Sequence, residues 1–175
     1  GCVADARSIW WTIRPASRYP TLELRIADAC TDLDDALCIA ALFRCLVRAS
    51  LGGDDAGFDR AIVEENRWRA KRYGVEAAML SQGDGAAVSV DALAESLVRR
   101  LRPHALALDC EAEIEHVHAI CAAGGGAGRQ VEVHDEALRA GVGPREALRC
   151  VVEDLVARTE TPGPGERLPA RRNWS

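Results

Sequence analysis

Three arginines and one glutamate lie close together in a short segment of this 175-residue chain, at Arg14, Arg18, Glu23 and Arg25. The planar guanidinium group donates two parallel, charge-assisted hydrogen bonds, which suits carboxylate and phosphate ligands. A carboxylate among such arginines is well placed to hold a divalent metal ion. The segment therefore predicts a site that binds an anionic substrate beside a metal.

Residues 21–26 alternate strictly between polar and apolar types, which is the period of a half-buried strand. Leu22, Leu24 and Ile26 form the apolar face, which we expect to pack against the core. The opposite face presents Glu23 and Arg25. The alternation thus predicts that these two charged side chains point the same way.

A second strand is predicted over residues 8–13, because that run is apolar and aromatic. Pro15 and Pro20 hold the connecting segment out of a helix, so Arg14 and Arg18 are expected in a short rigid loop. Two strands are too few to form a sheet with a core. They are expected to complete a larger antiparallel sheet that other sequence supplies.

Two segments resemble the signatures of a known family. Residues 11–28, WTIRPASRYPTLELRIAD, look like the motif of the carboxylate-amine ligases, the type 2 glutamate-cysteine ligase family, and residues 64–74, EENRWRAKRYG, look like its second signature. The likeness runs from about Ser8 to about Arg158 and corresponds to the C-terminal half of such an enzyme. It implies that residues 1–160 are the C-terminal part of a single catalytic domain, and that the N-terminal half of the same enzyme is a required partner.

The resemblance also implies roles for individual residues. The pattern from Leu22 to Arg25 is similar to a late strand of glutamine synthetases, whose glutamate binds a catalytic metal and whose following arginine binds substrate. By that likeness Glu23 is the expected metal ligand, and Arg25 is expected to bind substrate and to act in catalysis. Arg14 and Arg18 complete the expected catalytic set.

A ligase of this family phosphorylates the side-chain carboxylate of an amino acid with ATP, and an amine then displaces the phosphate. The resemblance therefore implies ATP and Mg²⁺ or Mn²⁺ as cofactors and amino acids as substrates. The adenine pocket and the remaining metal ligands are expected outside this chain, so the chain alone is expected to be inactive. A homodimer is an open alternative for its assembly.

A helix predicted over residues 58–73 carries further candidates, and two interpretations of it stay open. Its wheel places Glu65, Arg69 and Arg72 on one arc. In the first interpretation Glu65 pairs with both arginines as a surface network. In the second, Asn66, Arg69 and Arg72 face the site and bind substrate.

The rest of the chain is predicted to be mostly helical. A hairpin is predicted over residues 75–90, and residues 161–175 are predicted to form a flexible tail. The predicted fold class is α+β, a mostly helical C-terminal part with two antiparallel strands that complete a glutamine-synthetase-like sheet. The further helices are predicted at residues 31–48, 91–108, 110–123, 129–140 and 144–158.

Composition excludes several classes of protein. The formal net charge of −5 argues against a general nucleic-acid or anionic-membrane surface. The seven cysteines are odd in number and form no Cys-x-x-Cys pair, which favours small buried side chains in a reducing compartment. The protein is therefore expected in the cytoplasm, with neither nucleic acid nor membrane as a partner.

A second hypothesis comes from another class of function: a non-catalytic helical interaction module that retains an ancestral strand pair. The complete set of Arg14, Arg18, Glu23 and Arg25 counts against it, because a module without catalysis has no reason to keep such charges together.

Overall fold

The computed structural model describes Asp5, Ser8 and residues 10–53 and 57–160. The tail predicted at residues 161–175 lies outside the described residues. None of the helices in the described part of the chain is both long enough and apolar enough to cross a membrane.

The described residues form helices and two small strand pairs, which confirms the predicted mostly helical α+β class. Each pair is antiparallel and forms its own two-stranded sheet. The larger glutamine-synthetase-like sheet stays a prediction. In chain order the elements are β1 (Ile13–Pro15), β2 (Leu22–Leu24), α1 (Leu33–Leu51), α2 (Arg60–Tyr73), a 3-10 turn (Gly74–Glu76), β3 (Ala78–Leu80), β4 (Ala87–Ser89), α3 (Val90–Leu108), α4 (Glu111–Glu115), α5 (Val117–Ala122), α6 (Gly125–Arg139) and α7 (Pro144–Glu160).

The core lies where α1 crosses α3 and α4. On α1 the buried residues Ala41, Cys45 and Ala49 recur every four positions, so small side chains form one face of the helix. Small side chains allow α3 to approach closely, and Leu101 and Ile114 are fully buried against this face. Helices α1, α3 and α4 therefore share one core cluster, and it contains no strand residue.

Side-chain caps set the beginnings of the main helices. Asp32 accepts a hydrogen bond from the backbone N of Asp34 at 2.9 Å before α1, and Asp59 accepts one from Ala61 at 2.8 Å before α2. Ser89 does the same for α3. These caps satisfy backbone donors that have no partner within the helix.

The first strand was predicted in the wrong place. The described residues before Ile13 are not in a strand, and β1 instead contains Arg14 and Pro15. Arg14 thus lies in a strand and not in the loop. The physical reason is the pairing register, which sets Arg14 opposite Glu23. Pro15 is tolerated in β1 because a residue of an edge strand does not need a backbone N–H donor on its unpaired side.

The helix predicted over residues 110–123 is divided at His116 into α4 and α5. The His116 ring is held by Asp35 of α1, with Nε2 and Oδ1 2.8 Å apart. Helix α6 begins at Gly125, four residues earlier than predicted, because Gly124 makes the turn with a φ of 77° that other residues rarely adopt.

Replacing Leu101 by alanine should test the position of the core. Leu101 is fully buried, so Leu101→Ala should lower the free energy of unfolding by about 2–5 kcal/mol through lost burial and a residual cavity. Leu106 on the same helix is exposed, and Leu106→Ala should change the free energy of unfolding by less than about 0.5 kcal/mol. Urea denaturation of both variants is the measurement. Equal losses would show that α3 buries a different face.

Candidate functional site

The hairpin of β1 and β2 brings two of the predicted site residues together. Arg14 and Glu23 are direct partners across the strands, and Arg14 Nε lies 2.6 Å from Glu23 Oε2. The Arg14 side chain is 16% exposed and that of Glu23 is 38% exposed, so the pair is partly shielded from water. The arginine fixes the direction of the glutamate carboxylate.

Only one oxygen of the Glu23 carboxylate has a partner among the described residues. The Glu23 side chain forms no other hydrogen bond or ion pair with the described residues than the one through Oε2. Over residues 10–53 and 57–160 there is no group of three or more His, Cys, Asp or Glu side chains that could hold a metal ion. Metal binding by Glu23 therefore stays a prediction, and the candidate ligand atom is the carboxylate oxygen that Arg14 does not hold.

Arg25 follows directly after β2 and is exposed. Its backbone N donates to the carbonyl of Thr12 at 2.7 Å, which extends the hairpin pairing by one bond. Its guanidinium carbon lies 4.9 Å from the ring centroid of Trp10. Arg18 is exposed in the connecting loop, so the hairpin carries all three predicted catalytic arginines.

The apolar face of the hairpin packs less tightly than predicted. Leu22 is 47% exposed and Ile26 is 55% exposed. An open apolar groove of about 590 Å³ lies between this face and α1, where Leu42 and Phe43 line it. Two short strands cannot cover the helical layer, so part of its apolar surface remains open.

The second candidate group fastens α2 to β3. The Asn66 side chain donates to the carbonyl of Leu80 at 2.8 Å and accepts from the backbone N of Leu80 at 2.7 Å. Arg69 donates to Glu65 at 2.8 Å and to the carbonyl of Ala78 at 2.6 Å. These hydrogen bonds attach α2 to the backbone of β3, so both side chains have a structural role.

The ion pair of Glu65 with Arg69 that the surface-network interpretation predicted is present. Arg72 instead lies with its guanidinium carbon 5.5 Å from the ring centroid of Tyr73. It forms no hydrogen bond or ion pair with the described residues, which leaves its donors available. Substrate binding by Asn66, Arg69 and Arg72 stays a prediction.

The cysteines in the described part of the chain are free thiols. Burial raises the pKa of Cys38 to about 12, and burial together with a hydrogen bond to Cys110 raises the pKa of Cys45 to about 11. The two sulfur atoms of Cys45 and Cys110 lie 3.7 Å apart without a covalent bond. Neutral thiols of this kind are poor nucleophiles and pack as small apolar side chains.

Sequence reasoning missed Trp10 and the backbone of Leu80. The sequence contained no signal for Trp10, because the residue lay inside the strand predicted over residues 8–13 and its exposure is known only from the structure. No local signal predicted the contact of Asn66 with Leu80, because it joins residues fourteen positions apart.

Comparison with known proteins gives the family. The model of glutamate-cysteine ligase family 2 matches residues 1–153. This chain belongs to glutamate-cysteine ligase family 2. Both sequence segments that resembled the type 2 ligases lie inside the matched region, so the recognition of the family is confirmed.

Several curated members of glutamate-cysteine ligase family 2 are similar along most of this chain. A protein of Rhodospirillum rubrum with the name "Putative glutamate--cysteine ligase 2" is 44% identical over 167 residues, which cover 93% of this chain and 43% of the relative. A protein of the same name from Ectopseudomonas mendocina is 40% identical and covers 91% of this chain and 43% of the relative. The chain thus spans less than half the length of these relatives.

Replacing Asn66 by aspartate should test the structural task of this side chain. Asn66→Asp removes the donor to Leu80 and sets a carboxylate against a carbonyl, so the free energy of unfolding should fall by about 1–3 kcal/mol. Lys71 is exposed on the same helix, and Lys71→Ala serves as the control. Its free energy of unfolding should stay within about 0.5 kcal/mol of the wild-type value. Thermal and urea unfolding measure both. An unchanged stability of Asn66→Asp would mean that the contact with β3 contributes nothing.

Proposed function

We propose that this chain supplies the C-terminal part of an ATP-dependent carboxylate-amine ligase that joins glutamate and cysteine. The observation that carries the proposal is the Arg14–Glu23 pair, followed two residues later by Arg25, on the hairpin of a chain in glutamate-cysteine ligase family 2. The names of the relatives support the choice of substrates.

In the proposed reaction the side-chain carboxylate of glutamate attacks the terminal phosphorus of ATP, and the bond to ADP breaks. The amine of the second amino acid then attacks the acyl carbon, and inorganic phosphate leaves as the amine loses a proton. Both steps concentrate negative charge on phosphoryl oxygens. Positioned guanidinium groups stabilise such charge without having to reorganise.

The hairpin residues have separate tasks in this proposal. Arg14 holds the Glu23 carboxylate in place through the 2.6 Å contact, so that the second oxygen can bind Mg²⁺ or Mn²⁺. The metal ion, when bound, neutralises phosphate charge. Arg25 receives the substrate carboxylate or the transferring phosphoryl group, and Arg18 contributes from the loop.

The α2 group contributes differently. Arg72 is proposed to contact substrate, because its donors are not used by the described residues. Asn66 and Arg69 are proposed to act indirectly. Their bonds to β3 fix the position of α2, and with it the position of Arg72 relative to the substrate. In this arrangement only Arg72 would bind substrate directly from the helix.

The N-terminal half of the same enzyme is the proposed partner of the chain. It would supply further strands of the sheet, the remaining metal ligands and the adenine pocket. The open groove beside Leu42 and Phe43 supports this proposal, since a sheet that continues past two short strands would cover it. The free thiols support a reducing compartment, and we propose the cytoplasm.

The same groove supports the alternative, a helical interaction module without catalysis. In that case the groove would bind another protein, and the charged face of the hairpin would be a solvated surface. The two functions differ in what Glu23 does, because only the ligase needs its carboxylate for a metal.

Replacing Glu23 by glutamine should separate the two functions. The assay uses a joined protein, in which this chain follows the N-terminal region of the Rhodospirillum rubrum relative. Glu23→Gln keeps the shape of the side chain but removes a charge from the metal site, so it should raise the magnesium requirement and cut turnover roughly a hundredfold or more. Magnesium titration of phosphate release is the measurement.

Glu153→Gln is the matched control for this experiment. Glu153 is exposed on α7 and, among the described residues, pairs only with Arg149, so its replacement should leave the magnesium dependence unchanged. Thermal melting establishes that both variants are folded. A folded Glu23→Gln protein with normal magnesium dependence and normal rate would remove Glu23 from the site and favour the interaction module.

A further inference from the structure

Trp10 lies against Arg25 at the open end of the hairpin. The guanidinium carbon is 4.9 Å from the centroid of the indole ring, which is within the range of a cation–π contact. The backbone hydrogen bond from Arg25 to Thr12 places the segment before β1 beside the segment after β2. The contact thus follows from the hairpin register.

Core packing does not explain the position of Trp10. The residue is 83% exposed, so its ring contributes little to the hydrophobic core. The ring therefore lies on the surface, where its face is available for contact with a neighbouring cation. The contact with Arg25 is the interaction that the described residues provide for this ring.

A stacked guanidinium is well suited to bind an anion. An aromatic ring contacts the flat face of the group and leaves its N–H donors in the plane pointing outward. The Arg25 side chain forms no hydrogen bond or ion pair with the described residues. Among the described residues its N–H donors therefore have no hydrogen-bond partner.

We propose that Trp10 is a positioning residue, whose ring holds the Arg25 guanidinium so that its donor edge binds a carboxylate or phosphoryl oxygen of the substrate. The stack itself is a property of this chain. Its contribution to substrate binding rests on the proposed ligase function.

The stack can be measured on the 175-residue chain by NMR of its arginine Nε–H groups, with the Arg25 signal assigned through Arg25→Lys. The indole ring current should shift this signal upfield. Trp10→Leu should abolish the shift, Trp10→Phe should keep part of it, and Trp11→Leu should keep all of it. Trp11 is the matched control, because it is also an exposed indole. A wild-type signal at an ordinary position, or one that survives Trp10→Leu, overturns the proposal.

Anion binding can be measured on the same sample with inorganic phosphate as the probe. Phosphate should move the Arg25 signal with a saturable dependence on concentration, and Trp10→Leu should weaken that binding by about two- to fivefold, the range of an exposed cation–π contact. Trp10→Phe should recover part of the loss. A phosphate response that is absent, or equal in the wild type and in Trp10→Leu, contradicts the role of Trp10.

Kinetics of the joined protein then connect the stack to substrate. Trp10→Leu should raise the KM for glutamate by about two- to fivefold with a smaller change in kcat, and Trp10→Phe should partly restore the KM. If Trp10 had only a structural role, Trp10→Leu would alter the melting temperature and leave the KM unchanged. That outcome would contradict the positioning role. If the folded wild-type joined protein makes no product, the proposed function fails, while the two NMR measurements still decide the stack.

Discussion

The cross-strand contact of Arg14 with Glu23 is the constraint on which the candidate site depends. In an antiparallel pair a slip of one residue turns every side chain to the opposite face. The two strands are only three residues long, so few backbone bonds define their register. A half-buried ion pair at 2.6 Å adds a specific preference for one pairing. In this register the backbone N of Arg25 bonds to the carbonyl of Thr12. That bond brings Trp10 close to the Arg25 guanidinium.

The helices have a different role, because the core cluster that α1, α3 and α4 share contains no residue of the hairpin. Helix α1 offers small side chains to α3 and α4 on one face and larger apolar side chains to the open groove on another. Packing on the first face stabilises the layer, whereas the second face has only the short strands near it. The contrast explains how one chain can hold a firm scaffold and still leave an apolar surface for further strands. In the ligase proposal the scaffold fixes the back of the sheet while chemistry takes place on its polar face.

Much of this organisation could be predicted from local patterns. The alternation in residues 21–26 predicted β2, and the helical periods and caps predicted α1, α2, α3 and α7 to within a few residues. The family was recognisable because its signatures are short and contiguous. The place of β1 was missed because a run of apolar and aromatic residues does not reveal register. The contacts of Trp10 with Arg25 and of Asn66 with Leu80 were missed because they join positions far apart in the chain, which only the tertiary structure brings together.

The proposed function requires that this chain holds one part of a ligase site and that an N-terminal region supplies the rest. The most direct measurement is ADP release from ATP and magnesium that requires both glutamate and cysteine, compared between the 175-residue chain and the joined protein. We expect no release by the chain alone and release by the joined protein, abolished when either amino acid is omitted. Release by the chain alone, or a folded joined protein that releases no ADP, would contradict it.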